Sequence, residues 1–228
     1  MGNYFSMSFN GLEFLFPKKT ISFTNGFGVV KGLYEDVIEE EYYIRESLIG
    51  VVDQNFKTVI SLFPERILGK IEILDGGVIL IQLKESLEEI QVYQVNYLKG
   101  KGEVLVLPCV DFFSISSHIV KVKSKSESGF GMLESLYDVS KGEFISDQFH
   151  FIDSFHYDEE RKQMVAQTIY FLPYDENRFN SVITYINLNG EVISPYLDVD
   201  QNKYYPLDLD LKDIFSSIVD DMNKKMSR

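Results

Sequence analysis

The chain of 228 residues contains no tryptophan, a single cysteine and few basic side chains. Cys109 cannot form an internal disulfide, and the apolar run around it is typical of a buried thiol. Lys and Arg number 22 against 35 Asp and Glu, so the net charge is −13. Because nonspecific nucleic-acid binding needs clustered cations, this deficit argues against nucleic acid as a partner. The cysteine usage indicates a reducing compartment, and we expect a cytoplasmic protein.

Long apolar stretches are missing as well. No run approaches the length that spans a bilayer, and residues 1–6 lack the basic and apolar regions of a secretory signal. We therefore expect no association with a membrane.

Signatures of catalysis and of cofactor binding are also absent from the sequence. It has no HExxH, no paired cysteines and no Gly-x-Ser-x-Gly elbow. The segment 26–32 has one residue too many for a dinucleotide-binding loop, and no βαβ pattern follows it. The sequence therefore predicts a protein that is not an enzyme, with no catalytic residue, no cofactor and no metal ligand.

Two polar segments leave a metal site as an alternative interpretation of the sequence. His150, Asp153 and His156 would meet in one hairpin, and the six-residue spacing of the histidines puts both on one face of a strand. The same segment is equally typical of an aromatic-rich strand with surface histidines. Residues 198–202 carry the alternating oxygens of a calcium loop, but Lys203 stands where that loop needs glycine. A polar turn before the C-terminal helix is the other interpretation.

The chain is rich in phenylalanine and tyrosine, which together make up 14% of the residues. Such side chains suit the pleated, half-buried surface of a β-sheet. Apolar runs of strand length, such as 71–74, 78–83 and 119–123, lie between turn signals rich in Gly and Asn. This pattern predicts β-strands joined by tight turns.

A short internal repeat opens the chain. Gly28-Val29-Val30 and, six residues on, Val37-Ile38 recur 22 residues later as Gly50-Val51-Val52 and Val59-Ile60. We interpret each copy as a strand–turn–strand unit. Since one hairpin is marginal in water, repeated hairpins must stack their apolar faces on each other.

A longer period of about 40 to 50 residues is also visible. It appears when turns that precede an apolar stretch are aligned, at Gly11, Phe56 in the place of Gly, Gly102, Gly142 and Gly190. A unit of this size holds four short strands, as a propeller blade does. The predicted fold is all-β, with tandem β-hairpin repeats in about five four-stranded, propeller-like units. An open hairpin array is the structural alternative.

The repeats resemble a known class. The segments 27–30, 49–53 and 130–134 are similar to the bacterial WG repeat, an aromatic residue and glycine followed by two apolar residues and an acid, although Trp is absent and Ile49 replaces the aromatic residue. The segments 60–64 and 193–196 resemble the second half of that repeat. The resemblance implies an interaction scaffold, and it implies no reaction.

The C-terminal segment has a different pattern. Apolar residues recur at helical spacing from Leu211 to Met222, with acids at the start and Lys224, Lys225 and Arg228 at the end. We predict an amphipathic helix over about 209–225. The expected domains are a β-repeat domain over 1–207 and, over 208–228, a helix packed on it; docking of this helix on a partner is the alternative.

A lysine stripe and an acidic stretch are the charged features of the chain. Lys121, Lys123 and Lys125 alternate, and we interpret them as the guard of an exposed sheet edge. The acidic stretch is the predicted partner-binding surface, since carboxylates steer a basic partner and tyrosines supply contact area. Its residues are Tyr34, Glu35, Asp36, Glu39, Glu40, Glu41, Tyr42 and Tyr43. A solvated face with tyrosines packed inward is the alternative.

Three functions follow as hypotheses. The first is a non-enzymatic, acidic interaction module that occludes a basic protein partner, as small bacterial toxin-neutralising immunity proteins do. The second is a small-ligand or glycan binder with aromatic-lined pockets between repeat units. The third is a metal-dependent hydrolase built around His150, Asp153 and His156.

Overall fold

The computed structural model describes residues 2–38, 42–86, 89–98, 101–126, 131–175, 178–207, 209 and 211–226. Over these residues the chain is all-β with one C-terminal helix, as predicted. It divides into two compact units, Met1–Val110 and Asp111–Arg228. The predicted division into 1–207 and 208–228 stays a prediction.

Unit 1 begins with a hairpin and continues into two four-stranded antiparallel sheets. The hairpin and first sheet comprise β1 (Tyr4–Phe9), β2 (Leu12–Pro17), β3 (Phe23–Thr24), β4 (Phe27–Ile38), β5 (Tyr42–Asp53) and β6 (Thr58–Pro64). The second sheet comprises β7 (Leu68–Ile73), β8 (Val78–Lys84), β9 (Ile90–Leu98) and β10 (Lys101–Leu107). Single 3-10 turns occupy Lys18–Thr20, Glu65–Ile67 and Asp75–Gly77. In both sheets each strand pairs with the strand that follows it in the chain.

The first sheet of unit 1 is buried on both faces. Leu48 and Val52 of β5 pack with Phe5 and Met7 of the β1–β2 hairpin. Val51, which points the opposite way, packs in a cluster with Ile79 of β8. A strand buried on both faces needs apolar residues at consecutive positions, which explains the unbroken run around Val51 and Val52.

The 22-residue repeat has a different structural meaning from the predicted one. Residues 31–36 of the first copy continue strand β4, so they form no turn, and the strand–turn–strand interpretation of this copy is wrong. In the second copy a turn does separate β5 from β6. The two valine pairs lie in neighbouring antiparallel strands, with Val29 directly opposite Val51. The repeat therefore marks two partner strands of one sheet, both buried between layers.

Four of the five aligned turn positions adopt a left-handed backbone. They are Gly11, Phe56, Gly142 and Gly190, with φ between 61° and 80°. Phe56 thus takes the conformation that usually requires glycine. The prediction of a turn at Gly102 is wrong, because this residue lies inside β10 opposite Tyr97.

Unit 2 contains a third four-stranded sheet, a larger sheet and the helix. The four-stranded sheet comprises β11 (Asp111–Ser114), β12 (Ile119–Lys125), β13 (Met132–Asp138) and β14 (Glu143–Phe144). The larger sheet comprises β15 (Phe151–Ile152), β16 (His156–Asp158), β17 (Gln163–Asp175), β18 (Arg178–Asn187), β19 (Tyr196–Asp198) and β20 (Lys203–Tyr205). An antiparallel bridge between Glu134 and Phe149 joins β13 to the start of the larger sheet. The predicted lysine edge is wrong, because β12 lies between β11 and β13.

The helix α1 (Leu211–Met226) belongs to the core of unit 2. Ile214 and Ile218, one turn apart, are fully buried. Phe215 meets the ring of Tyr170 edge-on at 5.0 Å between centroids. The predicted amphipathic helix is present, and its apolar side covers the larger sheet. It is not long and apolar enough to cross a membrane, and the described residues contain no other α-helix.

An aspartate holds the turn between β13 and β14. Oδ1 of Asp138 accepts hydrogen bonds from the backbone N–H of Ser140 at 2.9 Å and from its hydroxyl at 2.6 Å. Burial raises the pKa of this carboxyl, but the hydrogen bonds from Ser140 and Lys141 outweigh burial and hold the pKa below its usual value of 3.8. The ionised form is therefore the one that the fold prefers.

The lowered pKa of Asp138 predicts a specific acid sensitivity. A carboxylate with a lowered folded-state pKa stabilises the fold above its ordinary pKa, and this stabilisation is lost as the pH falls through the folded-state pKa. We expect Asp138→Asn, which cannot ionise, to lose less free energy of unfolding than the wild type between about pH 5 and pH 2.5. Urea denaturation at both pH values measures this difference. Equal losses in the two proteins would contradict it.

Candidate functional site

The predicted acidic surface lies on the β4–β5 pair, and the structure describes only part of it. Tyr34 is half-buried and its ring meets Phe9 edge-on at 5.7 Å, so it contributes to the core. Glu35 is exposed and forms an ion pair with Arg45, 3.3 Å between Oε1 and Nε. Asp36, Tyr42 and Tyr43 lie in these strands, but their side chains, like all of Glu39, Glu40 and Glu41, fall outside the described residues. This surface stays a prediction.

The two histidines of the predicted metal segment lie beside different parts of strand β17. Phe151, next to His150, pairs with Ile169, whereas His156 pairs with Val165. Those two positions on β17 are four residues apart, about 13 Å along a strand. Nδ1 of His150 accepts a hydrogen bond from the backbone N–H of Phe171 at 3.1 Å, and burial lowers the pKa of the imidazole. The ring is thus engaged in packing as a neutral group.

The segment 198–202 forms a turn in which one oxygen of Asp198 bonds to the backbone, while its buried Oδ2 has no hydrogen-bond partner among the described residues. The fully buried Asp198 accepts a hydrogen bond at Oδ1 from the backbone N–H of Gln201, 3.0 Å away. Asp200 and Asn202 are exposed on the turn. Within the described part of the chain, no three His, Cys, Asp or Glu side chains are grouped so that they could hold a metal ion.

The structure presents a different candidate, a cleft of about 340 Å³ at one end of unit 1. We call it the turn cleft. It is lined by Asn25, Gly26, Phe27, Asp53, Gln54, Asn55, Gly76, Gly77 and Tyr97. These residues come from the β3–β4, β5–β6 and β7–β8 turns and from the end of β9. Three hairpin turns and one strand end therefore converge on the same space.

Asp53, the last residue of β5, fixes the central turn of the cleft. Its Oδ1 accepts hydrogen bonds from the backbone N–H groups of Asn55 at 2.8 Å and Lys57 at 2.9 Å. Its Oδ2 lies 3.2 Å from the Tyr97 hydroxyl, which donates to it. Because both oxygens are occupied, Asp53 serves as a positioning group in this cleft.

Tyr97 forms the aromatic wall. Burial and the neighbouring Asp53 carboxylate raise the pKa of its phenol, so the hydroxyl stays protonated and donates at neutral pH. The buried Phe27 meets the Tyr97 ring edge-on, with centroids 5.8 Å apart. The two rings and Asp53 hold one another in place.

Neutral amides surround this wall. Gln54 and Asn55 are exposed at the tip of the β5–β6 turn, and the Gln54 amide lies against Gly26. Nδ2 of Asn25 donates to the carbonyl of Ile73 at 3.2 Å, which ties the first sheet to the second. Amides both donate and accept hydrogen bonds, so the rim can pair with a ligand hydroxyl in either sense.

Sequence reasoning missed this cleft, although one signal was available. Turns following β5, β13 and β18 begin with Asp53, Asp138 and Asn187, and in each a side-chain oxygen accepts the N–H of the residue two positions on. An apolar residue followed by Asp or Asn before a polar turn marks such sites. The signal locates the turns, but it cannot show which turns meet.

Comparisons with known proteins yield no relative. No family model matches the chain, and neither the curated proteins nor the solved structures contain a significant match. The WG-type resemblance therefore stays a prediction.

Proposed function

We propose that the protein is a non-enzymatic binding protein whose turn cleft takes a small, uncharged, hydroxyl-rich ligand such as a sugar. The observation that carries this proposal is the neutral amide rim of the cleft beside the Tyr97 ring. An aromatic wall favours the C–H faces of a sugar ring, while amides pair with its hydroxyls. A volume of about 340 Å³ lies at the small end of ligand sites, which suits one or two sugar rings.

The charge distribution in the cleft supports an uncharged ligand. Asp53 is the one ionisable carboxylate among the lining residues, and its oxygens already accept hydrogen bonds from Asn55, Lys57 and Tyr97. A cationic ligand would have to compete with these donors.

A glycan array followed by calorimetry tests the proposal. We expect Gln54→Ala to weaken the binding of an array-selected sugar about tenfold, because one hydrogen-bonding amide is lost from the rim. Gln148→Ala, which removes an exposed amide from unit 2, is the matched control and should bind as the wild type does. An array without hits, or equal affinity for the Gln54→Ala variant, would refute this function.

A second candidate function is the binding of a basic protein by the predicted acidic surface, and the net charge of −13 favours it. In this proposal the residues from Tyr34 to Tyr43 steer a basic protein, and the chain occludes that partner as an immunity-type inhibitor does. Glu35, exposed on β4, would contribute to this field. We place the protein in the cytoplasm as part of the same proposal, which the buried lone Cys109 supports.

Salt dependence tests the second function. The association rate of a purified basic partner should fall steeply as ionic strength rises, because salt screens steering charges. Binding that is indifferent to salt would contradict it.

We also propose that the four-stranded sheets are repeat units of a propeller-like array of the WG type. Three successive sheets support this, since each is an antiparallel meander of four consecutive strands, β3–β6, β7–β10 and β11–β14. They span 42, 40 and 34 residues, near the roughly 40 to 45 residues of a propeller blade.

A further inference from the structure

The second sheet of unit 1 ends in a long and regular outer strand. In the described sheets of four or more strands, the other outer strands are short or irregular. β3, β14 and β15 have two residues, β16 and β20 have three, β11 has four, and β6 and β7 pair with register shifts. Proteins commonly shorten or distort outer strands, because these strands are templates for pairing with another chain. β10 has seven residues in an unbroken register with β9, so it lacks both protections.

The outer edge of β10 presents the backbone of its even-numbered residues. In the β8–β9 hairpin, the N–H of Glu85 donates to the carbonyl of Glu89 at 3.1 Å. Because hydrogen-bonded pairs alternate along an antiparallel ladder, odd-numbered residues of β9 bond to β8 and even-numbered ones bond to β10. The even-numbered residues of β9 lie opposite odd-numbered residues of β10. The N–H and C=O groups of Gly102, Val104 and Val106 therefore point away from β9, to an edge where no described strand pairs with them.

Apolar side chains accompany these backbone groups. Val104 and Val106 are exposed to 60% and 64%. They lie on the same side of the sheet as Val95 and Tyr93, their partners on β9. Val95 belongs to the buried cluster of Ile79, so the two valines extend an apolar layer beyond the last strand of the sheet. A strand added at this edge would cover both valines and continue that layer.

We infer that this edge binds the β10 strand of a second copy of the chain. A two-fold axis brings two identical strands together antiparallel. When Val104 lies opposite Val104 of the second copy, Gly102 lies opposite Val106, and the outward backbone groups form about six hydrogen bonds between the chains. The β-branched Val104 side chains meet at the axis, which favours strand pairing. Glu103 then faces Leu105, so no like charges lie opposite each other.

The two neighbouring registers fit less well. Centring the pair on Glu103 sets two carboxylates directly opposite each other, which is destabilising. Centring it on Leu105 sets Gly102 opposite Pro108, which has no N–H to donate. The sequence of β10 therefore selects a single register of pairing with itself.

The charge along the edge fits a second copy. β10 carries one basic and one acidic residue, Lys101 and Glu103, and the residues opposite Leu105 and Glu103 on β9 are the neutral Gln94 and Asn96. An occupant that is apolar and has no net charge over the paired length matches this edge, and β10 itself has that composition. At long range the charge of −13 on each copy repels the other, so we expect a weak dimer that salt strengthens.

Sedimentation equilibrium of the full chain tests this inference. We expect a reversible monomer–dimer equilibrium between about 5 and 500 µM protein, because pairing of one edge gives a small interface. Raising NaCl from about 20 to 300 mM should increase the dimer fraction. Val104→Lys should weaken association at least about tenfold, because two lysines would then face each other at the axis. Leu15→Lys on β2, at an apolar side chain that is 69% exposed, changes the net charge equally and should associate as the wild type does.

Cysteine cross-linking tests the register. Under oxidation by copper–phenanthroline, Val104→Cys should form a disulfide between two copies, because the Cα atoms of a hydrogen-bonded pair lie about 5.5 Å apart, within disulfide range. Val106→Cys should not, because residue 106 faces Gly102 and the two thiols would be at least about 13 Å apart along the strand. The native Cys109 is buried. A chain that stays monomeric at the highest concentration, a dimer that Val104→Lys leaves unchanged, or equal cross-linking of the two cysteine variants overturns the inference.

Discussion

Gly190→Ala is expected to destabilise unit 2 by at least about 4 kcal/mol. A Cβ at this position would lie 1.9 Å from the carbonyl oxygen of Ile145 and 2.9 Å from the backbone nitrogen of Ser146. Because both are backbone atoms, no rotamer change relieves the overlap, and the whole turn or its neighbour must move. The φ of +80° adds strain for any residue with a side chain.

Gly142→Ala is the matched control for this prediction. Its φ is +74°, but the nearest atom to a new Cβ is the Tyr137 hydroxyl at 3.8 Å, an ordinary contact. Only the backbone strain remains, about 1 to 2 kcal/mol. Thermal unfolding should show a Tm at least about 8 °C lower for Gly190→Ala than for the wild type, with a far smaller decrease for Gly142→Ala. Equal decreases in Tm for the two variants would contradict the close approach of Gly190 to the backbone of Ile145 and Ser146.

Glu134→Ala is expected to lower the free energy of unfolding by about 3 kcal/mol. The substitution leaves the buried N–H of Ile152 without its acceptor and removes the shared partner of Lys121 and Lys123. This loss is near the lower limit for removing one partner of a buried ion pair, because the lysine ammonium groups can still reach water. Chemical denaturation of the purified variant measures it.

Two comparison variants separate these contributions. Glu134→Gln retains a side-chain oxygen for the Ile152 N–H but not the charge, so its loss should be intermediate. Glu35→Ala breaks the exposed pair with Arg45 and should cost less than about 1 kcal/mol. A Glu134→Ala variant as stable as Glu35→Ala would contradict the buried arrangement.

Local patterns sufficed to predict the fold class. Alternating and unbroken apolar runs marked strands such as β8 and β12, and the helical spacing of Ile214 and Ile218 marked α1. These signals are local, because each depends only on which side of an element a residue faces. The pairing of strands is harder to predict from sequence. Gly28 and Gly50 belong to two copies of the sequence repeat, yet they lie on two strands that pair with each other.

The candidate sites could not be predicted, because they depend on contacts between distant parts of the chain. Asn25, Asp53, Gly76 and Tyr97 meet in the turn cleft although more than 70 residues separate the first from the last. The alternating lysines of β12 predict a sheet edge because the sequence does not state which strands flank them. The structure places β13 and its Glu134 beside them instead.

We propose above all that the turn cleft of unit 1 binds a neutral, hydroxyl-rich ligand. An NMR titration of the ¹⁵N-labelled protein with the best array-selected sugar tests it most directly, since glycine amide signals fall in a distinct spectral region. We expect saturable shifts of Gly26, Gly76 and Gly77 and of the Gln54 and Asn55 side-chain amides, and in Gln54→Ala the remaining shifts should need about tenfold more sugar to saturate. Shifts confined to unit 2, or a spectrum that does not change, would contradict it.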